Sequence, residues 1–86
     1  MRTFKHIALL IKEARIKNKI GQRDLELKIY NTTANNGMII GHIERAITSV
    51  PINRIKNYAD ALSISRQDII YAMVLDYRET LNDGSK

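Results

Sequence analysis

Apolar residues recur at helical spacing along almost the whole chain, and no other periodicity competes with them. Phe4, Ile7, Ile11 and Ala14, with Leu10 beside them, follow the i, i+3/i+4, i+7 pattern of one helix face. Leu25 and Ile29 continue it in a second segment, Ile40 and Ile43 in a third, and Ile55, Tyr58, Ala59 and Leu62 in a fourth. Period-2 alternation never persists. The Asn36-Gly37 dipeptide precedes a helical pattern and does not join two alternating runs. The chain therefore reads as all-α, with five helices and short connections.

Local signals place the boundaries. Thr3 predicts the N-cap of the first helix, and Lys17 and Lys19 suit its C-terminal end. The second helix starts near Gly21, with Asp24 in its first turn. The polar run "YNTTANNG", Tyr30 to Gly37, separates it from the third. "ITSVP" is a linker, and Pro51 suits the first turn of the fourth helix. Ser65 with Asp68 resembles a capping box, Asp replacing the usual Glu, and opens a fifth helix over 66–81. Residues 1–81 form one small domain, and "NDGSK", 82–86, is expected to be a disordered tail.

Composition narrows the function. No cysteine is present, which excludes a disulfide framework and a Cys-based metal site. No apolar run approaches the roughly 20 residues that span a bilayer, so we expect a soluble, cytoplasmic chain with no membrane partner. The net charge of +5, from 14 Lys and Arg against 9 Asp and Glu, favours a polyanionic partner, nucleic acid before an acidic membrane. His6 and His42 fall on different helices without ligand spacing, and the carboxylates do not cluster. We therefore expect no metal, no cofactor and no enzymatic activity.

Three stretches in order carry a resemblance. "RIKNKIGQRDL" (Arg15 to Leu25), "IGHIERA" (Ile40 to Ala46) and "VPINRIKNYADALSISRQDII" (Val50 to Ile70) resemble the helix-turn-helix domain of phage repressors of the Cro/cI, or Xre, family. The resemblance covers about Ile7 to Ile70. It implies a lambda-repressor-like DNA-binding domain of five helices with an extended C-terminal helix, the helix-turn-helix lying at about 21–46. It also implies a sequence-specific transcriptional regulator of double-stranded DNA.

In such a motif the second helix lies in the major groove. Ile40 and Ile43 would hold it to the domain. Gly37 and Gly41, four residues apart, would thin the side facing DNA. The candidate base contacts are Asn35, Asn36, Gly37, Met38, Ile39 and His42. Asn reads adenine, apolar groups touch a thymine methyl, and a protonated ring nitrogen donates to guanine N7. By the family's pattern base contacts fall on the positions matching Gly37, Met38 and His42. Asn36 has a competing role as helix N-cap, and Met38 and Ile39 a competing role in packing. The candidate phosphate contacts are Gln22 and Arg23 at the N-terminus of the second helix, with Arg45, Thr48 and Arg54 on the far side. The resemblance implies that Gln22 clamps the backbone and that Arg15 and Glu44 form a structural ion pair.

Three features depart from the family. Glu26 stands where Ala is usual, predicting looser packing, an unusual partner or a one-residue shift in the second helix. The turn after Tyr30 is a few residues longer, so the second helix extends or the turn loops outward. Ala46 replaces a Gly that favours the left-handed C-cap, predicting a different end to the third helix.

"IIYAMVL", Ile69 to Leu75, is apolar throughout, more than one core-facing stripe requires. Ile69 and Met73 close the core. Ile70, Tyr71, Val74, Tyr77, Arg78 and Leu81 form a surplus face, expected to be a homodimer interface. A two-fold dimer would set two recognition helices roughly 34 Å apart on a palindromic operator. The alternative is a protein-interaction module, such as the antitoxin of a toxin–antitoxin pair that autoregulates its promoter.

Overall fold

A computed structural model describes residues 3–84, with side chains to Asn82. Residues 1–2 of the expected domain and 85–86 of the expected tail lie outside the described residues. The chain forms five α-helices and a single 3-10 turn, with no strand among the described residues: α1 (Lys5–Lys17), α2 (Gln22–Tyr30), α3 (Met38–Glu44), the 3-10 turn (Ile52–Arg54), α4 (Ile55–Leu62) and α5 (Arg66–Gly84). None of these helices is long and apolar enough to cross a membrane.

The apolar stripes converge on one core. Ile7 and Ile11 of α1, Leu25 and Ile29 of α2, Ile40 and Ile43 of α3, Tyr58 and Leu62 of α4, and Ile69 of α5 are all buried in it. Val50, from the expected linker, is buried there too, while Phe4, Leu10, Ile55 and Met73 pack against its edge. Each such aliphatic side chain contributes about 1.5–3 kcal/mol through removal from water. α3 lies against α1 and α2, and α5 runs along α1 and covers α4.

The helix ends depart from expectation in informative ways. Thr3 does not cap α1; Phe4 holds the N-cap position. The cap comes from α5 instead. Asp76, only 4% exposed, accepts from His6 N at 2.8 Å and Ile7 N at 3.1 Å. Thr80 Oγ1 accepts from Thr3 N at 3.0 Å. The His6 and Ile7 amides are among those a helix start leaves without intrahelical partners, and a carboxylate there also suits the positive end of the helix dipole. Glu79 joins His6 at 3.0 Å and Lys5 at 3.2 Å. The hydrogen bond from His6, helped by Lys5, holds its carboxyl below the usual carboxylate range.

Pro51 precedes the 3-10 turn with an extended ψ of 136° and does not open α4, since the turn intervenes. Ser65 Oγ does accept from Asp68 N, at 3.0 Å. α5 continues to Gly84, so residues 82–84 extend the helix where a tail was expected. Ala46 does adopt the left-handed conformation, with φ 60°. Its N–H reaches Ile43 O at 3.0 Å and Ile47 N–H reaches His42 O at 2.9 Å. This paired closure of the helix end offsets the roughly 1–2 kcal/mol that a left-handed residue with a Cβ costs. The expected different ending is thereby overturned.

Candidate nucleic-acid interface

The long connection between α2 and α3 is an ordered turn, not an extension of α2. The helix stops at Tyr30, where Asn31 turns left-handed with φ 56°. Thr32 Oγ1 then accepts from Ala34 N at 3.1 Å, Thr33 O from Asn36 N at 2.9 Å, and Asn35 O from Met38 N at 2.9 Å. Asn36 and Gly37 are both left-handed, with φ 52° and 82°. Gly37 takes the N-cap position of α3, so Asn36 does not cap that helix.

Contrary to the expectation that Gly37 and Gly41 thin an outward face, both are buried beneath α2. A Cβ at Gly37 would sit 2.9 Å from the backbone nitrogen of Arg23. A Cβ at Gly41 would meet Gln22 Oε1 at 3.6 Å and Arg45 Nη2 at 3.9 Å, ordinary contact distances. The glycines let the start of α2 rest directly on α3. They also bring the Gln22 amide and the Arg45 guanidinium together above Gly41.

Glu26 completes this junction. It is fully buried, and its Oε1 accepts from Gly37 N at 3.1 Å. Its second oxygen is equally buried and has no hydrogen-bond partner among the described residues. Of the three readings of Glu26, the unusual partner is the one observed: a backbone amide of the turn that positions α3. A carboxylate where the resembled sequences carry Ala was the sequence signal. Asp76 carried a comparable one, since it falls seven residues after Ile69 on the inward stripe of α5.

A second polar hub fixes the other end of α3. Arg15 Nε and Nη2 donate to both oxygens of Glu44, the Nη2 contact at 3.0 Å, and Nη1 donates to Ile20 O at 3.0 Å. The two side chains are 15% and 5% exposed. The hydrogen bonds from Arg15 to Glu44 outweigh burial and hold the guanidinium above its ordinary pKa. Gln22 Nε2 adds a longer bond to Glu44 Oε1, at 3.3 Å. One carboxylate therefore ties α1, α2 and α3 together.

The candidate base-contact residues separate into two groups. Asn35, Asn36 and Met38 are exposed, Met38 by 58%, and His42 is half-buried. Gly37 is buried against α2, and Ile39 packs on the core. Gly37 is a correction, because α2 covers it and it has no side chain to offer; Ile39 is half-buried, with part of its apolar surface taken by the core and part left outward. Of the candidate phosphate contacts, Gln22, Arg23, Arg45 and Thr48 are exposed. Arg54 is engaged within the fold. Its guanidinium lies 4.8 Å from the centre of the Tyr30 ring, and Nη1 donates to Ile29 O at 3.4 Å. Tyr30 in turn meets the buried Tyr58 edge-on, with their hydroxyls 2.8 Å apart. Burial, and then that hydrogen bond, push the Tyr58 hydroxyl's pKa up.

Among the described residues no three His, Cys, Asp or Glu side chains lie together as a metal site would require. Comparison with protein-family models, with curated proteins and with solved structures finds no match to this chain.

Proposed function

We propose that the chain is a sequence-specific DNA-binding transcriptional regulator, a homodimeric repressor that lays α3 in the major groove of a palindromic operator. One observation carries this reading. The short α3 is anchored by Ile40, Ile43 and Glu44 while Asn35, Asn36 and Met38 stay free at its start. Cationic and amide groups (Arg23, Gln22 and Arg45) flank it on the side where α2 begins. Fixed geometry with exposed mixed chemistry suits base-edge contact, and cations beside backbone amides suit phosphate. A net charge of +5 agrees.

Phosphate contacts predict steep salt dependence. Affinity for duplex DNA should fall linearly on a log–log plot, with a slope of roughly −0.9 per phosphate neutralised. Arg45→Ala should weaken binding to all duplexes alike and reduce that slope by about one. Fluorescence anisotropy across a salt series measures both. An affinity indifferent to salt contradicts the proposal.

The exposed Met38, together with the apolar outer side of α5, favours a second reading, an antitoxin-like module that also binds a protein. A gel shift with promoter DNA, with and without the candidate partner, separates the two.

A further inference from the structure

We propose that two copies of this chain pair about a two-fold axis through α5 and the 3-10 turn, each copy seating Ile52 in an apolar groove of the other. The groove, of about 550 Å³, lies between the start of α1, the segment before α4, and α5. Phe4, Val50, Ile52, Ile55, Met73 and Tyr77 are among the residues that line it. Ile52 is 81% exposed, the highest value among the exposed large apolar side chains.

The outer side of α5 continues the same surface. Ile70, Val74, Tyr77 and Leu81 recur at spacings of four, three and four, one stripe of a helix that pairs with another. All four are exposed, by 40%, 39%, 60% and 53%. With Ile52 they present roughly 500 Å² of apolar surface per copy, at the upper end of what a typical monomer leaves uncovered. Complete burial of these side chains on both copies would remove at most roughly 1,000 Å², about the threshold for a specific interface, with rim residues such as Arg78 adding to it.

The occupant follows from shape. An isologous interface uses the same patch twice, so it must be complementary to itself. A patch that carries both an apolar protrusion and an apolar hollow meets that condition. Only the placement of two α3 helices on one duplex rests on the DNA-binding reading; the pairing itself is measured without DNA.

Sedimentation equilibrium of the full chain, free of DNA, tests it. Wild type is expected to show a reversible monomer–dimer equilibrium. Ile52→Glu and Val74→Glu should each raise the dissociation constant about 30-fold or more. Ile16→Glu, at an exposed apolar position on α1 away from the groove, should leave it unchanged. Both substituted interface positions are exposed in the monomer, so far-ultraviolet circular dichroism should show every variant folded. A wild type that stays monomeric, an open-ended series of larger species, or an Ile52→Glu protein that pairs as wild type does would overturn the proposal. A dimer that binds no duplex sinks the DNA reading and leaves the pairing intact; a monomer that binds duplex does the reverse.

Discussion

Glu44→Ala is expected to lower the free energy of unfolding by about 3–5 kcal/mol, the range for removing one partner of a buried pair. The substitution leaves Arg15, whose side chain is 15% exposed, without the acceptor for two of its donors, and removes the partner of Gln22 as well. Domains carry roughly 0.05–0.15 kcal/mol of stability per residue, so this loss is a large fraction of what an 86-residue chain holds. Urea unfolding followed by circular dichroism reads it directly. The paired change Arg15→Met with Glu44→Met should recover much of the loss, because no buried charge is then left unmatched. A loss below about 1 kcal/mol would place Arg15 and Glu44 with exposed surface pairs.

Gly37→Ala is expected to cost about 2–5 kcal/mol, from two sources. The residue holds φ 82°, which costs about 1–2 kcal/mol once a Cβ is present. The new methyl would also meet Arg23 N at 2.9 Å, and overpacking against backbone adds about 1–3 kcal/mol. Gly41→Ala supplies the contrast. That glycine is helical, its Cβ would meet only side-chain atoms at 3.6 Å or more, and alanine gains about 1 kcal/mol in helix propensity. Thermal melts of the two variants should therefore move in opposite directions. If both substitutions stabilise, α2 does not rest on the α2–α3 turn as described.

Those two glycines show where sequence reading stops. Their four-residue spacing placed them correctly on one side of α3, but it could not say which neighbour that side meets. Sequence supplies the period of a stripe; the neighbour comes from tertiary packing. The core was legible for the same reason, since Ile7, Ile11, Leu25, Ile40, Ile43 and Leu62 stand at helical spacing and all are buried. Helix ends were less so. Asp76 caps a helix start about 70 positions earlier in the chain, a pairing no local pattern contains. Ala46 ends α3 left-handed because two backbone bonds outweigh an intrinsic preference. In the candidate interface, Asn35, Asn36 and Met38 remain outward, whereas Ile39 and Arg54, both half-buried, are partly engaged by the core and by Tyr30. An apolar or long cationic side chain beside a helix fits either fate equally well.

Selection of bound duplexes from a random pool, run in parallel on wild type, Met38→Ala, His42→Ala and Arg45→Ala, tests most directly whether α3 reads DNA. Wild type should enrich an inverted repeat. Met38→Ala and His42→Ala should each change the preferred bases at defined positions of both half-sites, while Arg45→Ala should retain the wild-type preference at lower affinity. Failure to enrich any sequence, or an unaltered preference in both the Met38 and His42 variants, would contradict the account.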